Sequence, residues 1–448
     1  MKFNGAELAK LESEVQVSTR QTELAVEYLT RRGRLVALAL LSLVGGAAAG
    51  LLTAVFRLAL HRADRLRESA LVWAHGENLA GFVAIIMISA VATGLAAWLV
   101  LRFSPEAAGS GIPHVEAQVN GRWSGDPLHI IPVKFVGGLL AMGTGLALGR
   151  EGPSVQIGAS LTHFLGKVSH CNEEECKALL AAGAGAGLAT AFNAPIAGAV
   201  FVLEEVVRRF DLPITIATLG ASAGAIGAAR FLLGQEPDFH VQPLRFAGLG
   251  ATLIYLVLGI IAGFIGVAYN RAILGALRAT GRLVRFPVEY RAAAIGAAVG
   301  LLAWFAPAMV GGGDSITQRL LSGTGPVFMF GIDFALRFLL GAVSYAARTP
   351  GGLFAPMLVL GSQSGLFFGT QVCRWLPVTG TNPTEYAVVG MAALFTGVVR
   401  APLTGIILAI ELTGSFDLFL PMLAACFTAM LVPTLLGNPP IYDSLRAD

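Results

Sequence analysis

Charge is scarce in this chain. Only 13% of its 448 residues are Asp, Glu, Lys or Arg, about half the share of a soluble domain. Leu35–Phe56, Leu79–Leu101, Phe246–Asn270, Ala292–Gly313 and Leu418–Leu436 carry none, and each is close to the ~20 residues a helix needs to cross a bilayer. The runs are continuous, which excludes the short alternating strands of a membrane barrel. Cysteine is equally sparse: Cys171, Cys176, Cys373 and Cys426 show no disulfide framework. The net charge is +3 without a basic cluster, so no nucleic acid is expected as a partner. No cleavable signal is visible. What remains is an all-α polytopic membrane protein.

Against that background one acid stands out. Glu151 lies in Gly149-Arg150-Glu151-Gly152-Pro153, between uncharged residues 135–148 and a run that stays uncharged to Lys167. A carboxylate in such a setting must face a partner or a polar path, not lipid. The flanking glycines and the proline mark the broken start of a helix, where free N–H groups attract anions. An ionised Glu there occupies an anion site and vacates it when protonated. The expectation is an anion path gated by Glu151 and coupled to protons.

The chain also repeats itself. Ala194-Pro195-Ile196-Ala197-Gly198 leads to Glu204, and Ala401-Pro402-Leu403-Thr404-Gly405 leads to Glu411, always 207 residues apart. Gly183 and Ala186 match Gly390 and Ala393 at that offset; Pro153 and Gly158 match Pro356 and Gly361 at 203; Gly109–Gly111 match Gly311–Gly313 at 202. We therefore divide the chain into an amphipathic segment 1–34, repeats at 35–233 and 246–438, a linker at 234–245 and a C-terminal segment 439–448. The apolar segments 152–166, 178–191, 194–203, 353–370, 386–397 and 401–410 are short. Duplicated halves with Gly/Pro-interrupted helices are a transporter device for placing a site inside the membrane.

Three glycine-rich segments precede apolar runs: Gly109-Ser110-Gly111-Ile112-Pro113, Gly149 to Pro153, and Gly351-Gly352-Leu353-Phe354-Ala355-Pro356. Together they predict helix starts converging on one anion. In this order, with AFNAPIAG and Glu204-Glu205 at 191–205 and Tyr442 near the end, they closely resemble the CLC chloride channel and transporter family over residues 35–445. The resemblance implies a homodimer in a lipid bilayer, one anion pore per subunit, and two inverted-topology halves with about 18 membrane helices. It also implies cytoplasmic termini. No CBS tail is expected, because the chain ends six residues past Tyr442; this points to a prokaryotic cell membrane.

Carried over residue by residue, the resemblance gives Ser110 and Tyr442 hydroxyl contacts to a dehydrated chloride, and Leu353 and Phe354 backbone N–H contacts to it. Gly109, Gly111, Ile112, Pro113, Gly149, Arg150, Gly152 and Pro153 form the selectivity segments. Glu151 becomes the external gate and proton acceptor, and Glu205 the internal proton-transfer acid, with Glu204 the alternative. The implied activity is secondary-active chloride/proton antiport, with a passive channel of the same family as the alternative. A fluoride exchanger resembles Asn-Glu-Gly-Pro where this chain has Arg150-Glu151-Gly152-Pro153. No enzyme activity, cofactor or metal is expected. Gly220-Ala221-Ser222-Ala223-Gly224 imitates a hydrolase elbow but lies in an apolar helical run. Cys171 and Cys176 beside His170 are too loosely spaced for a metal, and the role of residues 168–177 is open. Lys134 and Arg150 either raise the local anion potential or pair with acids. Asp333 and Arg337 are spaced to pair along a helix.

Overall fold

The computed structural model describes residues 5–122, 127–242, 252–322, 330–376 and 381–447, together with Leu244 and Gly248. Among these residues it has seventeen α-helices, with β-structure confined to isolated bridges. The first proline is Pro105, so nothing interrupts α1, which runs from Gly5 to Gly76. Residue 34 therefore marks no helix boundary. α2 (Asn78–Phe103) follows, then the short α3 (Ile112–Val119) and α4 (Ile130–Gly143). Next come α5 (Glu151–Val168), α6 (Glu173–Phe192), α7 (Pro195–Phe201) and α8 (Leu212–Leu233).

Beyond the linker stand α9 (Thr252–Arg282), α10 (Val288–Phe305), α11 (Asp314–Leu321) and α12 (Phe330–Tyr345). The remaining helices are α13 (Phe354–Trp375), α14 (Pro383–Val399), α15 (Pro402–Thr413), α16 (Phe419–Leu435) and α17 (Ile441–Ala447). Six helices among the described residues are long and apolar enough to cross a membrane: Arg32–Gly76 of α1, then α2, α8, α9, α10 and the stretch Phe416–Leu435. The uncharged run 292–313 was expected to continue past residue 305. Instead α10 stops at Phe305, because Pro307 forces Ala306 out of the helical region (ψ 65°). The first residues of the run 246–270 lie largely outside the described ones.

Small residues set the packing. A Cβ on Gly46 of α1 would stand 2.1 Å from the Ala221 carbonyl of α8, and one on Gly224 would stand 2.1 Å from the Leu43 carbonyl. The apparent hydrolase elbow at 220–224 is thus a helix-crossing surface. α6 is buried on every side from Ala178 to Phe192, and α14 from Thr384 to Val399, as expected of helices enclosed by protein. The two repeats cross alike: a Cβ on Gly158 of α5 would stand 2.3 Å from the Gly183 carbonyl, and one on Gly361 of α13 would stand 2.5 Å from the Gly390 carbonyl.

The repeats also cap one another. The Glu204 carboxylate accepts from the backbone N–H groups of Leu403 (3.0 Å) and Thr404 (2.7 Å) at the start of α15. Glu411 accepts from Ile196 (3.1 Å) and Ala197 (2.7 Å) at the start of α7. Each helix thereby gains an anion at its positive end from its repeat partner. The loop at 168–177 has a similar local role: Asn172 and Glu175 form a capping box that starts α6. Burial and the neighbouring Glu175 push the Cys171 thiol upward, away from thiolate chemistry.

One expected pair does not form. Buried Arg337 turns from Asp333 and donates to the carbonyls of Met309 (2.9 Å), Gly311 (2.8 Å) and Gly312 (3.0 Å). Carbonyls that face inward at a glycine turn need donors more than an intermediate-exposed Asp needs a partner.

Two stability outcomes follow from this packing. Glu204→Gln and Glu411→Gln should each lower the unfolding midpoint in detergent, at a cost of about 1–3 kcal/mol for weakened charged hydrogen bonds. An effect of one substitution without the other would contradict their equivalence. Gly46→Val should cost a further ~1–3 kcal/mol by overpacking; an unchanged midpoint would show that the α1–α8 crossing is loose.

Candidate functional site

Three helix starts meet inside this body. The chain before α3 lies beside the chain before α13: Gly109 N–H donates to the Thr349 carbonyl (3.1 Å) and Gly351 N–H to the Gly109 carbonyl (3.0 Å). The start of α5 joins them, since Gly149 and Gly352 exchange both backbone bonds at 2.7–2.8 Å. Contact this close requires glycine. A Cβ on Gly152 would stand 2.6 Å from both the carbonyl and hydroxyl oxygens of Ser110. The first N–H groups of each helix have no partner within it, and three such helix starts adjoin one another here. Leu353 is the N-cap of α13 and Phe354 its first residue.

The side chains at this meeting point are buried: Ser110 and Tyr442 are wholly inaccessible, and Glu151 is 1% exposed. Tyr442 arrives on α17. Its ring stacks on Phe354 at 6.4 Å between centroids, and Phe354 packs against Phe201 and Phe395. The Tyr442 hydroxyl faces the Ser110 side chain. Neither hydroxyl nor Oε2 of Glu151 has a hydrogen-bond partner among the described residues. Buried polar atoms are ordinarily satisfied, so three orphans at one junction mark a place built to meet a polar guest. The Glu151 carboxylate fills the space beside Gly149, next to Ala355.

The cations around the junction hold it in shape. Lys134 of α4, wholly buried, donates to the Gly109 carbonyl at 2.6 Å; it positions the loop and pairs with no acid among the described residues. Arg150 bonds Asp314 of α11 (2.7 Å) and Asp238 of the linker (3.1 Å), and its Nε donates to the Ala191 carbonyl (3.0 Å). Arg57 of α1 joins the same Asp238 at 2.6 Å. Arg150, which precedes Glu151, is therefore fixed to both repeats, and its charge is matched by acids.

Glu205 lies elsewhere, in a π-helical turn over Val202–Val206 that follows α7. Such turns often mark functional positions. Glu205 is 3% exposed and pairs with Arg208 at 3.2 Å. Its partner Arg208 is 44% exposed, so the buried acid is tied to a charge at the surface. A second buried acid, Glu116 of α3, lies near it with Arg446 of α17 at 3.2 Å.

Two cavities approach the junction. One, of about 520 Å³, reaches Gly149, Arg150 and Glu151 and is lined also by His61, Asp64 and Asp314. The other, of about 850 Å³, reaches Gly109 and Gly111 and is lined also by Arg278, Tyr345 and Arg446. Glu151 lines the first.

Every expected site residue near the three glycine segments is brought together, while Glu205 sits apart. Sequence reasoning missed Tyr345, whose hydroxyl accepts from the Ser110 N–H at 3.4 Å, because it ends an ordinary apolar helix. It also missed Asp238 and Asp314. Asp314 follows Gly311–Gly313, the repeat partner of Gly109–Gly111, and that position was the available signal.

Comparison with known proteins agrees with this geometry. Residues 92–434 match the family described as voltage gated chloride channel. The chain is 36% identical over 418 residues to the H(+)/Cl(-) exchange transporter ClcA of Vibrio cholerae, covering 90% of this chain and 88% of the relative. It is 35% identical over 450 residues to the ClcA exchanger of Cronobacter sakazakii, covering 96% and 93%. Its fold is similar to the crystal structure of a slow cyanobacterial Cl-/H+ antiporter (TM-score 0.87, 30% identity, covering 92% of this chain and 97% of that one). It is also similar to a CLC-type fluoride/proton antiporter (TM-score 0.78, 25% identity, covering 91% and 97%). The chain belongs to the voltage gated chloride channel, or CLC, family.

Proposed function

We propose that this protein is a secondary-active chloride/proton antiporter. The observation that carries the reading is the facing pair of partnerless hydroxyls, Ser110 and Tyr442, at a junction closed by the Glu151 carboxylate. Hydroxyls and helix-start N–H groups bind a dehydrated anion without a full opposing charge, which keeps binding weak enough for release. Leu353 and Phe354 supply the N–H groups. Lys134 and Arg150 do not compete, because both are engaged elsewhere.

Glu151 is the external gate and proton acceptor. As a carboxylate it shares the helix-start environment that suits chloride, so the two exclude one another. When chloride displaces it, the carboxylate moves toward the polar cavity and takes a proton. Glu205 receives protons from the opposite side, and the ~850 Å³ cavity beside Gly109 is the inner approach for chloride. The reading includes a multi-pass homodimer in a prokaryotic inner membrane, with cytoplasmic termini and with repeats 35–233 and 246–438 around the site.

Proteoliposomes holding a chloride gradient and no proton gradient provide the test. Chloride should drive protons uphill, and Glu151→Ala should abolish proton movement while chloride still flows. Chloride flux without any proton movement in the unaltered protein would make it a channel. Tyr442→Ala should weaken chloride binding about tenfold, as expected for one lost donor to an anion. Isothermal titration reads this directly, and an unchanged affinity would remove Tyr442 from the site.

A further inference from the structure

We infer that an alternating chain of charges ties Glu205 to the helix carrying Tyr442, and that this chain transmits proton arrival to the anion site. The inference rests on the roles given above to Glu205 and Tyr442. Arg208 donates to Glu205 Oε1 at 3.2 Å and, through the same guanidinium, to Asp443 at 2.9 and 3.3 Å. Asp443 directly follows Tyr442, and it also pairs with Arg446 one turn later on α17. Arg446 Nε then reaches Glu116 at 3.2 Å. Five side chains from three parts of the fold thus form one line: Glu205, Arg208, Asp443, Arg446, Glu116.

The local backbone serves this line. Arg208 adopts a left-handed conformation (φ 56°) just after the π-helical turn, uncommon for a residue with a side chain. That conformation lets its guanidinium return to Glu205, three residues earlier, while still spanning to α17. Glu116 lies on α3, whose start carries Ser110. The line therefore touches both the helix carrying Tyr442 and the helix that follows Ser110.

Charge counting gives the line its function. Three acids and two arginines leave one excess negative charge when all are ionised, and a single proton balances it. The other groups facing Glu205 are Arg400, Glu204, Tyr442 and Glu116. Arg400 and Glu204 add one charge of each sign. Glu204 is turned to α15, and Arg400 donates to the Asn438 carbonyl at 2.8 Å. A proton on Glu205 neutralises one of the two acidic partners of Arg208, whose charge then falls to Asp443 while its Nε stays on the Glu205 carbonyl at 3.2 Å. A proton on Glu116 does the same for Arg446. Either way Asp443 is pulled differently, and Tyr442 is its neighbour in the chain. Asp443 and Arg208 are positioning residues, which act through Tyr442 and Glu205; Arg446 also lines the cavity beside Gly109.

The decisive experiment measures chloride and proton fluxes together in proteoliposomes of the full chain. Asp443→Asn should lower the protons moved per chloride about twofold or more, the low end of couplings between contacting charges. Asp443→Glu should restore the ratio. Arg208→Gln, which cuts the line on the other side of Asp443, should reproduce the loss and serves if Asp443→Asn is not recovered folded. A merely structural role would slow both fluxes and leave their ratio unchanged; that result overturns the inference. Glu205→Gln separates the two levels. If it abolishes proton movement while Asp443→Asn leaves the ratio intact, the charge line alone fails. If proton movement survives Glu205→Gln, the assignment of Glu205 itself fails.

Discussion

The meeting of three helix starts, ahead of α3, α5 and α13, is the constraint on which the rest of this structure depends. A helix start in an apolar body leaves N–H groups without partners, and burying them is costly unless something satisfies them. Here Gly109, Gly149 and Gly352 bring the starts so close that their backbones bond one another. Ser110, Tyr442 and Glu151 are the buried polar side chains at this junction. Glu151 is tolerated there because a carboxylate is what a cluster of helix starts accepts in the absence of another anion.

Buried charge elsewhere is resolved in ways that leave this place alone. Lys134 is spent on the Gly109 carbonyl, Arg337 on three carbonyls of the glycine turn at 311–313, and Arg150 on two aspartates. Each cation therefore shapes the junction through backbone or acid contacts. A free guanidinium next to chloride would trap it. The aspartates that hold Arg150 come from α11 and from the linker between the repeats, and its Nε bonds the Ala191 carbonyl of α6, so the segment carrying Glu151 is braced by both halves.

The duplication is structural as well as textual. Glycine pairs 158/183 and 361/390 carry the same crossing in each half, and Glu204 and Glu411 cap each other's partner helix. α7 is only seven residues long and α15 twelve; helices this short are marginal on their own. Reciprocal capping gives each a fixed anion at its start, which is why the acid recurs at the same place in both repeats.

The sequence by itself determined a great deal. Long uncharged runs established a polytopic helical protein, the glycine and proline clusters located the helix starts, and constant offsets exposed the repeat. These are local properties: charge scarcity and a fixed or permissive φ act within a few residues. Partners at long range were decided by the tertiary structure alone. Arg337 was read with Asp333 four residues away, yet its donors went to carbonyls 25–28 residues distant. Arg150 found Asp238 and Asp314, and Glu205 found a line ending on α3. Spacing along one helix shows which residues can touch; which contact wins depends on what else is buried beside them and still lacks a hydrogen bond.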